Sequence, residues 1–577
     1  MTHKTSFKMT KLVLLLGVIM LLGINYASSQ TPQQDLSPGN FKIMNKPFQI
    51  EALVFPNIKV NGVLFDTFSP EFYTLSNFTS FWVAHSDSEL EDYPIEVQDK
   101  PWSRLENKYD GLTSFELTKV KNLFRSQFAD DNLSPYATDL VTAAKNWFDY
   151  KNAKSEFNNT ILSVDLPASY LYQKEDLNNM LSLLKPDLIL FNRYPWEKNV
   201  DYNYVQILYG WYGQLVYFRN IALNGNGNVS KPIPFGAFTQ TWFANQSTPP
   251  SRSQTRLNCF GSLAFGAKML SAFVFNDYPA NTNYTIVSTL FNETPLSKSK
   301  QPTNQFWCQA EINQQVTNIG PALLQLQTSD IRFIPKARTT SSIYLEGYPI
   351  ATLNWTEAKE RPDAYLTKVS ATGIATVNNE NGDVLVGYFK PVHKSLDGTN
   401  TTNENYFMIV NGFYANDTVS SFQNIRLNFN FGELTHINSL LRISRLTGKV
   451  EVVPLIKENT AGNEYHLDLL LNGGEGDLFK YNNGVPFVGF PGLISLNENT
   501  ISDKNVLLYP NPVNDILYVK LPENNNRFLL YDIVGNKVYD QHIPDDYQLD
   551  MSNFNTGIYF FKAENAKGTI CSKVIKK

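Results

Sequence analysis

The sequence ILSV at residues 161–164 is the first of four short apolar runs; LILF (188–191), FGAF (235–238) and LSAFVF (270–275) follow it. Helical patterns separate these runs, over about 177–184, 204–220 and 255–268. Strands that alternate with helices predict a parallel sheet or a (β/α)8 TIM barrel. We expect the barrel to occupy residues 30–338. Its N-terminal half should be irregular or incomplete, because residues 41–109 carry little helical pattern.

Polar and aromatic side chains stand where these strands should end, and in a β/α barrel the carboxyl ends of the strands form the active site. Amides can hydrogen-bond sugar hydroxyls, and aromatic rings can stack on the apolar faces of sugar rings. Core or rim packing is the alternative role for the tryptophans, and a helix cap or a loop position is the alternative for the first aspartate. The candidates are Asp165, Asn192, Tyr194, Trp196, Gln240, Trp242, Asn276 and Asp277.

From about residue 340 to 490 the sequence has the texture of strands throughout. Six apolar or alternating runs are punctuated by Gly, Asn and Asp, at 384–389, 406–410, 425–429, 440–444, 450–455 and 465–471. This pattern predicts a β-sandwich over residues 339–492. The glycine-rich GGEGD at 473–477 is not followed by a helical pattern, so it indicates a turn between strands and no phosphate-binding loop.

The N-terminus has the features of a secretory signal peptide over residues 1–29. Three lysines precede the apolar run LVLLLGVIMLLGI (12–24), and the small residues ASS (27–29) follow it. The run is short for a membrane span. No later segment has some 18 uninterrupted apolar residues, so we expect no integral membrane segment after cleavage of the signal peptide.

The last stretch carries a series of motifs in a fixed order: YPNP (509–512), ILYV (516–519), YDIVGNKV (531–538), LDMS (549–552), TGIYF (556–560) and SKVIKK (572–577). Short strands joined by Pro, Asn and Gly turns predict a small β-sandwich. The series resembles the C-terminal sorting domain of the type IX (Por) secretion system of Bacteroidetes. That resemblance implies recognition by the type IX secretion machinery and a secreted or outer-surface location. We expect a linker over 493–504 and the sorting domain over 505–577.

Composition excludes several functional classes. The 577 residues include 49 basic and 54 acidic side chains, and a net charge of −5 argues against nucleic-acid binding. A hydrophobic content of 42% and an aromatic content of 13% argue against a disordered chain. The six histidines are dispersed, and Cys259, Cys308 and Cys571 lie far apart in the sequence. We therefore expect no metal site, no cofactor and no disulfide framework.

Several phrases of the barrel region resemble clan-A glycoside hydrolases, in particular β-galactosidase-like bacterial barrels. KPD leading to NRYPW (185–196) is similar to their sixth strand, and the segment 232–242 to their seventh. SLAFGAK (262–268) looks like the helix before their eighth strand, and 311–323 like the helix that closes the barrel. The resemblance covers about 160–490 and implies a carbohydrate substrate or ligand.

The expected catalytic carboxylates are not plainly present. Glycoside hydrolysis normally uses two carboxyl groups that flank the scissile bond. The resemblance implies an acid on the fourth strand, often in Asp-Glu-Pro, and a nucleophile on the seventh. The nearest phrase to the first is Asp99-Lys100-Pro101, whereas the seventh run carries Gln240 and the sixth carries Asn192. Amides supply neither a proton from a carboxyl nor a glycosyl ester. We therefore take Asp165 and Asp99 as the candidate catalytic residues.

We expect an exported glycoside-hydrolase-like protein that acts on or binds a poly- or oligosaccharide, and two alternatives remain open. An exported glycoside hydrolase explains the barrel, the sandwich and the export signals. A barrel of the same ancestry that has lost catalysis and binds glycans explains the amides as well. A structural or adhesive surface protein would use the sandwich instead. Carboxylates that converge at the barrel mouth would favour the hydrolase, and an amide- and aromatic-lined mouth would favour the binding protein.

Overall fold

The computed structural model describes the chain in segments: 35–60, 63–83, 88–106, 111–128, 133–166, 173–196, 210–227, 231–244, 249–281, 284–291, 301–335, 362–374, 382–393, 396, 406–415, 421–432, 434, 437–458, 462–490, 507–509, 511–520, 526–531, 537–544, 546–565 and 568–576. The expected signal peptide and linker lie outside these residues. In the described part of the chain, no helix is long and apolar enough to cross a membrane. The chain forms two compact units, Met1–Leu493 and Ile494–Lys577.

Eight parallel strands close into a barrel in the first unit, which confirms the predicted fold. Each strand pairs with the next along the chain, and the eighth pairs with the first. Helices cover the outside of such a sheet and side chains fill its inside, which is why its strands read as apolar runs. The strands are β1 Gln49–Val54, β2 Ser80–Val83, β3 Trp102–Glu106, β4 Leu123–Phe128, β5 Ile161–Leu166, β6 Leu188–Phe191, β7 Phe235–Gln240 and β8 Met269–Phe273.

The helices differ in length between the two halves of the barrel. Those between β1 and β4 have five or six residues, and a 3₁₀ turn, Leu90–Asp92, lies between β2 and β3. Such short helices show no apolar periodicity, which explains why the sequence of the first half predicts little helix. The first half of the barrel is nevertheless complete. The helices are α1 Pro38–Met44, α2 Pro70–Leu75, α3 Ser114–Thr118, α4 Thr138–Asn152, α5 Lys174–Leu184, α6 Gly213–Asn224, α7 Arg252–Phe265 and α8 Asn304–Gln325.

Local capping defines the ends of α7. Ser251 accepts a hydrogen bond from the backbone N–H of Gln254, whose side chain accepts one from the backbone N–H of Ser251. This reciprocal capping box satisfies two amide groups at the start of the helix. The helix ends at Gly266, whose φ of 103° is a left-handed conformation that favours glycine. The sequence signals at both ends therefore fix the helix that leads into β8.

Helix α1 covers the N-terminal end of the barrel. Ser37 Oγ and Asn40 Nδ2 each donate to the carbonyl of Pro232 at 2.6 Å, just before β7. Asn40 Oδ1 accepts from the fully buried Lys268 Nζ at 2.9 Å, just before β8. Burial lowers the pKa of Lys268 to about 7. Lys42 closes the set with a 2.7 Å ion pair to Asp187, just before β6. The mouth, where the carboxyl ends of the strands lie, is at the opposite end of the barrel.

Two antiparallel sheets follow the barrel, as the sequence predicts. Successive side chains along a strand point to opposite faces of its sheet, and those that point inward from the two sheets form one core. The six-stranded sheet contains Leu326–Ile334, Val384–Pro391, Tyr406–Asn411, Ser439–Ile443, Val450–Pro454 and Gly476–Tyr481. The four-stranded sheet contains Leu366–Gly373, Gln423–Asn430, Ile456–Lys457 and Glu464–Leu471. Smaller strands beside the barrel are Asn57–Val60 with Val63–Thr67, and Trp242–Ala244 with Tyr278–Asn281 and Tyr284–Ser288.

A buried ion network joins the sandwich to the barrel helices. Arg445 Nε lies 2.5 Å from Asp477 Oδ1, and Arg445 Nη2 lies 3.5 Å from Glu475 Oε2. Arg256 of α7 approaches Glu475 to 3.7 Å, and Gln315 of α8 accepts a hydrogen bond from Arg445. Burial opposes the ionisation of Asp477, but Arg445 and Arg442 together outweigh it and lower the pKa of Asp477. Barrel and sandwich are therefore held together by charges that are largely buried.

The second unit is a small β-sandwich. Its three-stranded sheet contains Leu507–Tyr509, Ile516–Lys520 and Asp546–Asp550, and its four-stranded sheet contains Asn526–Tyr531, Lys537–Ile543, Gly557–Asn565 and Gly568–Lys576. Asn511 of the YPNP motif accepts a hydrogen bond from the backbone N–H of Ile575 at 2.8 Å, and Val513 N–H donates to the carbonyl of Ile575 at 2.7 Å. The motif therefore fixes the start of the domain to its last strand.

Candidate functional site

The interior of the barrel is polar at mid-height. Arg125 of β4 and Glu51 of β1 are fully buried and meet across the barrel, with Nη2 2.6 Å from Oε1. Ser271 of β8 donates to the same Glu51 oxygen at 2.9 Å, and Arg125 Nη1 donates to Ser163 Oγ of β5 at 3.1 Å. Arg125 also bonds the side-chain oxygen of Gln127. A buried carboxylate with this many hydrogen-bond and ion-pair partners has a structural role.

Asp165 lies one step closer to the mouth. It is two residues beyond Ser163 on β5, so its side chain points to the same face of the strand, into the barrel. It is fully buried, and its strand pairs it with Leu190 of β6. The predicted carboxylate therefore stands inside the barrel, in the C-terminal half of its strand.

Aromatic rings line the barrel towards the mouth. The ring of Tyr194 lies 5.5 Å from Trp242, 5.8 Å from Phe273 and 6.2 Å from Phe238. The ring of Trp82 lies 5.9 Å from Phe238 and 5.1 Å from the guanidinium of Arg125. These rings pack into one aromatic cluster above the ion pair, in which Phe273 is half-buried and the others are buried. We call the set Trp82, Tyr194, Phe238, Trp242 and Phe273 the aromatic lining.

Three tryptophans at the mouth have buried indole N–H groups without a hydrogen-bond acceptor in the described part of the chain. They are Trp82, Trp196 and Trp242, the last two of which the sequence predicts as site residues. A buried donor without a partner costs about 1–3 kcal/mol. Each of these N–H groups is enclosed, so a ligand oxygen or a water molecule would have to enter the barrel to accept its hydrogen bond.

Gln240 holds the chain that leaves β6. Its side-chain oxygen accepts the backbone N–H of Trp196 at 2.8 Å, and its Nε2 donates to the carbonyls of Trp196 and Trp242 at 3.0 and 3.1 Å. The side chain is 1% exposed, so the amide is enclosed by these partners. Gln240 is therefore a positioning residue that places Trp196 and Trp242 at the mouth.

Asn276 plays the same part on the other side of the mouth. Its oxygen accepts the backbone N–H of Phe55 at 3.0 Å, and its Nδ2 donates to the carbonyl of Phe55 at 2.9 Å, where the chain leaves β1.

Asp277 accepts the backbone N–H of Ser288 at 2.7 Å. Asn192, half-buried at the end of β6, donates its backbone N–H to the carbonyl of Leu166. The peptide between Phe273 and Val274 is cis.

The sandwich adds a ring to this mouth. Tyr414 packs against Trp196 with ring centroids 4.9 Å apart. The loop that carries it is attached to α7, because Ser253 Oγ donates to the carbonyl of Ala415 at 2.9 Å and lies 3.0 Å from its N–H. Tyr414 is not predictable from the sequence, because nothing in the sequence indicates which sandwich loop reaches the barrel.

Asp99 is not brought together with the other candidates. The fourth strand is Leu123–Phe128, so aligning Asp99-Lys100-Pro101 with the fourth strand of the clan is wrong. Asp99 precedes β3, at the N-terminal end of the barrel, where its exposed carboxylate forms a 2.7 Å ion pair with Lys119. That ion pair lowers the pKa of Asp99. The two predicted catalytic carboxylates are therefore far from a shared site: Asp165 lies inside the barrel, and Asp99 lies on the surface at its N-terminal end.

The interior ion pair of Glu51 and Arg125 is a further feature of the site that is not among the residues predicted from the sequence. Glu51 and Arg125 each interrupt an otherwise apolar or uncharged strand, QIEALV and LFRSQF. A single charge inside a buried strand is the signal that could have identified them. Among the described residues, no group of three His, Cys, Asp or Glu side chains is arranged to hold a metal ion.

A comparison with known families identifies the C-terminal domain of the chain. Residues 507–577 match the family model of the secretion system C-terminal sorting domain, which confirms the prediction for this end of the chain. The domain directs export by the type IX system, to the cell surface or the medium. No curated protein matches the sequence.

Among solved structures, those similar to this chain include glycoside hydrolases. A putative α-galactosidase from Bacteroides fragilis has 8% identity and a TM-score of 0.35, over 76% of this chain and 79% of that one. An endo-β-1,4-mannanase from Thermotoga petrophila has 8% identity and a TM-score of 0.31, over 93% of this chain and 99% of that one.

Proposed function

We propose that this chain is an exported carbohydrate-binding protein whose barrel mouth holds a glycan without hydrolysing it. The observation that carries the proposal is that two glutamines, both already hydrogen-bonded, stand where carboxylates would be needed for hydrolysis. Gln127 near the end of β4 and Gln240 at the end of β7 stand on the two strands that supply the carboxylates of clan-A hydrolases. Both amides are engaged, Gln127 by Arg125 and Gln240 by the backbone of Trp196 and Trp242.

The aromatic lining supports a carbohydrate as the ligand. Aromatic rings are of the kind that stack on the C–H face of a pyranose ring, and in this cluster Tyr194 and Trp242 are each 7% exposed. The buried indole N–H groups of Trp82 and Trp242 offer donors for sugar oxygens. Asn192, half-buried beside Tyr194, would contribute polar contacts at the rim. Tyr414 and Trp196 would extend the platform towards the sandwich.

A glycoside hydrolase is the second candidate, and Asp165 favours it. A carboxylate inside an aromatic-lined barrel has the chemistry of a general acid or a nucleophile. It would need a second carboxylate, and among the described strands the remaining interior one, Glu51, is neutralised by Arg125. The binding proposal therefore stands first.

A binding and hydrolysis screen with the chain lacking residues 1–29 tests this proposal. We expect binding to at least one glycan of a neutral and acidic array, with no release of reducing ends. Trp242→Ala should weaken that binding by about tenfold or more, because it removes a ring of the lining and a donor. Trp242→Phe, which keeps a ring and loses the N–H, should give an intermediate loss.

The matched control is Tyr150→Ala, which removes an aromatic ring that is 57% exposed on α4. It should leave binding unchanged. Hydrolysis that disappears in Asp165→Asn would replace the binding proposal with the hydrolase. Absence of both binding and hydrolysis would leave a structural role for the sandwich.

A further inference from the structure

A cavity lies on the outside of the barrel, between α4 and α5, and none of the aromatic lining contributes to it. Its volume is about 260 Å³, and its walls come from the segment before α4 and from one face of α5. On α5 the lining residues are Asp176, Asn179, Met180 and Leu183, whose spacing of three and four places them on one side of the helix.

Tyr136 forms the opposite wall and is held in place although its ring is exposed. The ring is 57% exposed, yet its hydroxyl donates to Asp176 Oδ2 at 2.8 Å. The backbone N–H of Tyr136 lies 3.2 Å from Ser134 Oγ, and the backbone N–H of Gln173 lies 3.4 Å from the Tyr136 hydroxyl. An exposed aromatic ring fixed in one orientation is a pre-organised contact surface.

The cavity combines apolar and polar walls. Met180 and Val141 are buried in its floor, and Leu183 is 47% exposed at its edge. Asp176 Oδ1 and the side-chain amide of Asn179 make no hydrogen bond within the described part of the chain, so both can bond a ligand.

We propose that this cavity, walled by Tyr136, Asp176 and Asn179, is a second carbohydrate site that binds one neutral pyranose unit. The ring of Tyr136 stacks on the apolar face of the sugar, and the carboxylate and amide bond its hydroxyls. An apolar side chain of a partner protein would strip water from Asp176 and Asn179 without replacing their hydrogen bonds. An acidic sugar would place a second negative charge beside Asp176.

Ligand-observed saturation-transfer NMR on the chain lacking residues 1–29 tests this proposal. The probes are the methyl α- and β-glycosides of glucose, galactose and mannose. We expect saturation transfer to at least one probe, and a loss of about fivefold in Tyr136→Ala because the stacking ring is gone. Tyr136→Phe keeps the ring and should lose less. The control is Tyr150→Ala, since Tyr150 has the same exposure on α4 and does not line the cavity.

This site is independent of the proposed function of the barrel mouth. In a Trp242→Ala background, which disables the mouth, the transfer that depends on Tyr136 should remain. Transfer that disappears in Trp242→Ala and persists in Tyr136→Ala would support the mouth and overturn the cavity site. Absence of transfer to all the probes would also overturn it.

Discussion

Replacing Gln240 by glutamate tests whether this residue positions the mouth or stands in for a lost nucleophile. The wild-type amide donates to the carbonyls of Trp196 and Trp242 and accepts from the N–H of Trp196. A glutamate keeps the acceptor, but its second oxygen would face two carbonyl oxygens in a site that is 1% exposed. The carboxylate form is therefore repelled, and the structure predicts destabilisation without any gain of hydrolysis.

The magnitude follows from the two carbonyls and the charge. Each buried carbonyl that loses its donor costs about 1–3 kcal/mol, and a protonated glutamate can restore one of the two bonds. Burial and the carbonyl dipoles should raise the pKa of the introduced carboxyl above its value in the unfolded chain. The unfolded state then releases its proton first, so the variant loses about 1.4 kcal/mol of stability for each pH unit above the ordinary glutamate range.

Urea unfolding followed by tryptophan fluorescence provides the assay. Between about pH 5 and about pH 7, we expect the stability difference between wild type and Gln240→Glu to widen by roughly 2–3 kcal/mol. Gln240→Met loses the same hydrogen bonds without adding a charge, so its deficit should not depend on pH. A glutamate variant as stable as wild type at neutral pH, or one that hydrolyses glycans, would refute the positioning role.

Three further changes test other parts of the structure. Burial lowers the pKa of Lys268 to about 7, so above that pH the unfolded chain holds a proton that the folded chain lacks. The free energy of unfolding of the wild type should therefore rise by about 2 kcal/mol from pH 7 to about pH 9. In urea unfolding, Lys268→Met should abolish this rise. A Cβ at Gly387 would overlap the carbonyl oxygen of Ala264, so Gly387→Ala should lower the melting temperature measured by calorimetry. Arg445→Met leaves buried Asp477 without its strongest partner and should destabilise the first unit by about 3–5 kcal/mol in urea unfolding.

The second half of the barrel could be predicted from its strands, and the first half could not. Strands β5 to β8 are nearly continuous apolar runs, because both faces of a parallel sheet are buried. In β1 and β4 the inward Glu51 and Arg125 interrupt that pattern. Their cost is offset by a contact across the barrel, which depends on tertiary structure and leaves no local signal.

The candidate site was predictable in position and less so in role. Trp196, Gln240 and Trp242 do converge at the mouth, since their places at strand ends follow from the barrel. The role of Gln240 depends on backbone atoms 44 residues away, and sequence chemistry alone cannot reveal that its amide is already occupied. The contribution of Tyr414 depends on how the sandwich packs on the barrel, and the contacts of Arg445 and of Ser253 with Ala415 hold that arrangement.

The measurement that tests the central claim most directly is reducing-end release from the glycan that binds best at the barrel mouth. The mouth-binding glycan is the one whose affinity falls in Trp242→Ala. We predict that prolonged incubation with the protein releases no more reducing ends than buffer does, while the glycan stays bound. Release by the wild-type protein that is lost in Asp165→Asn would contradict the account and identify the barrel as a working hydrolase.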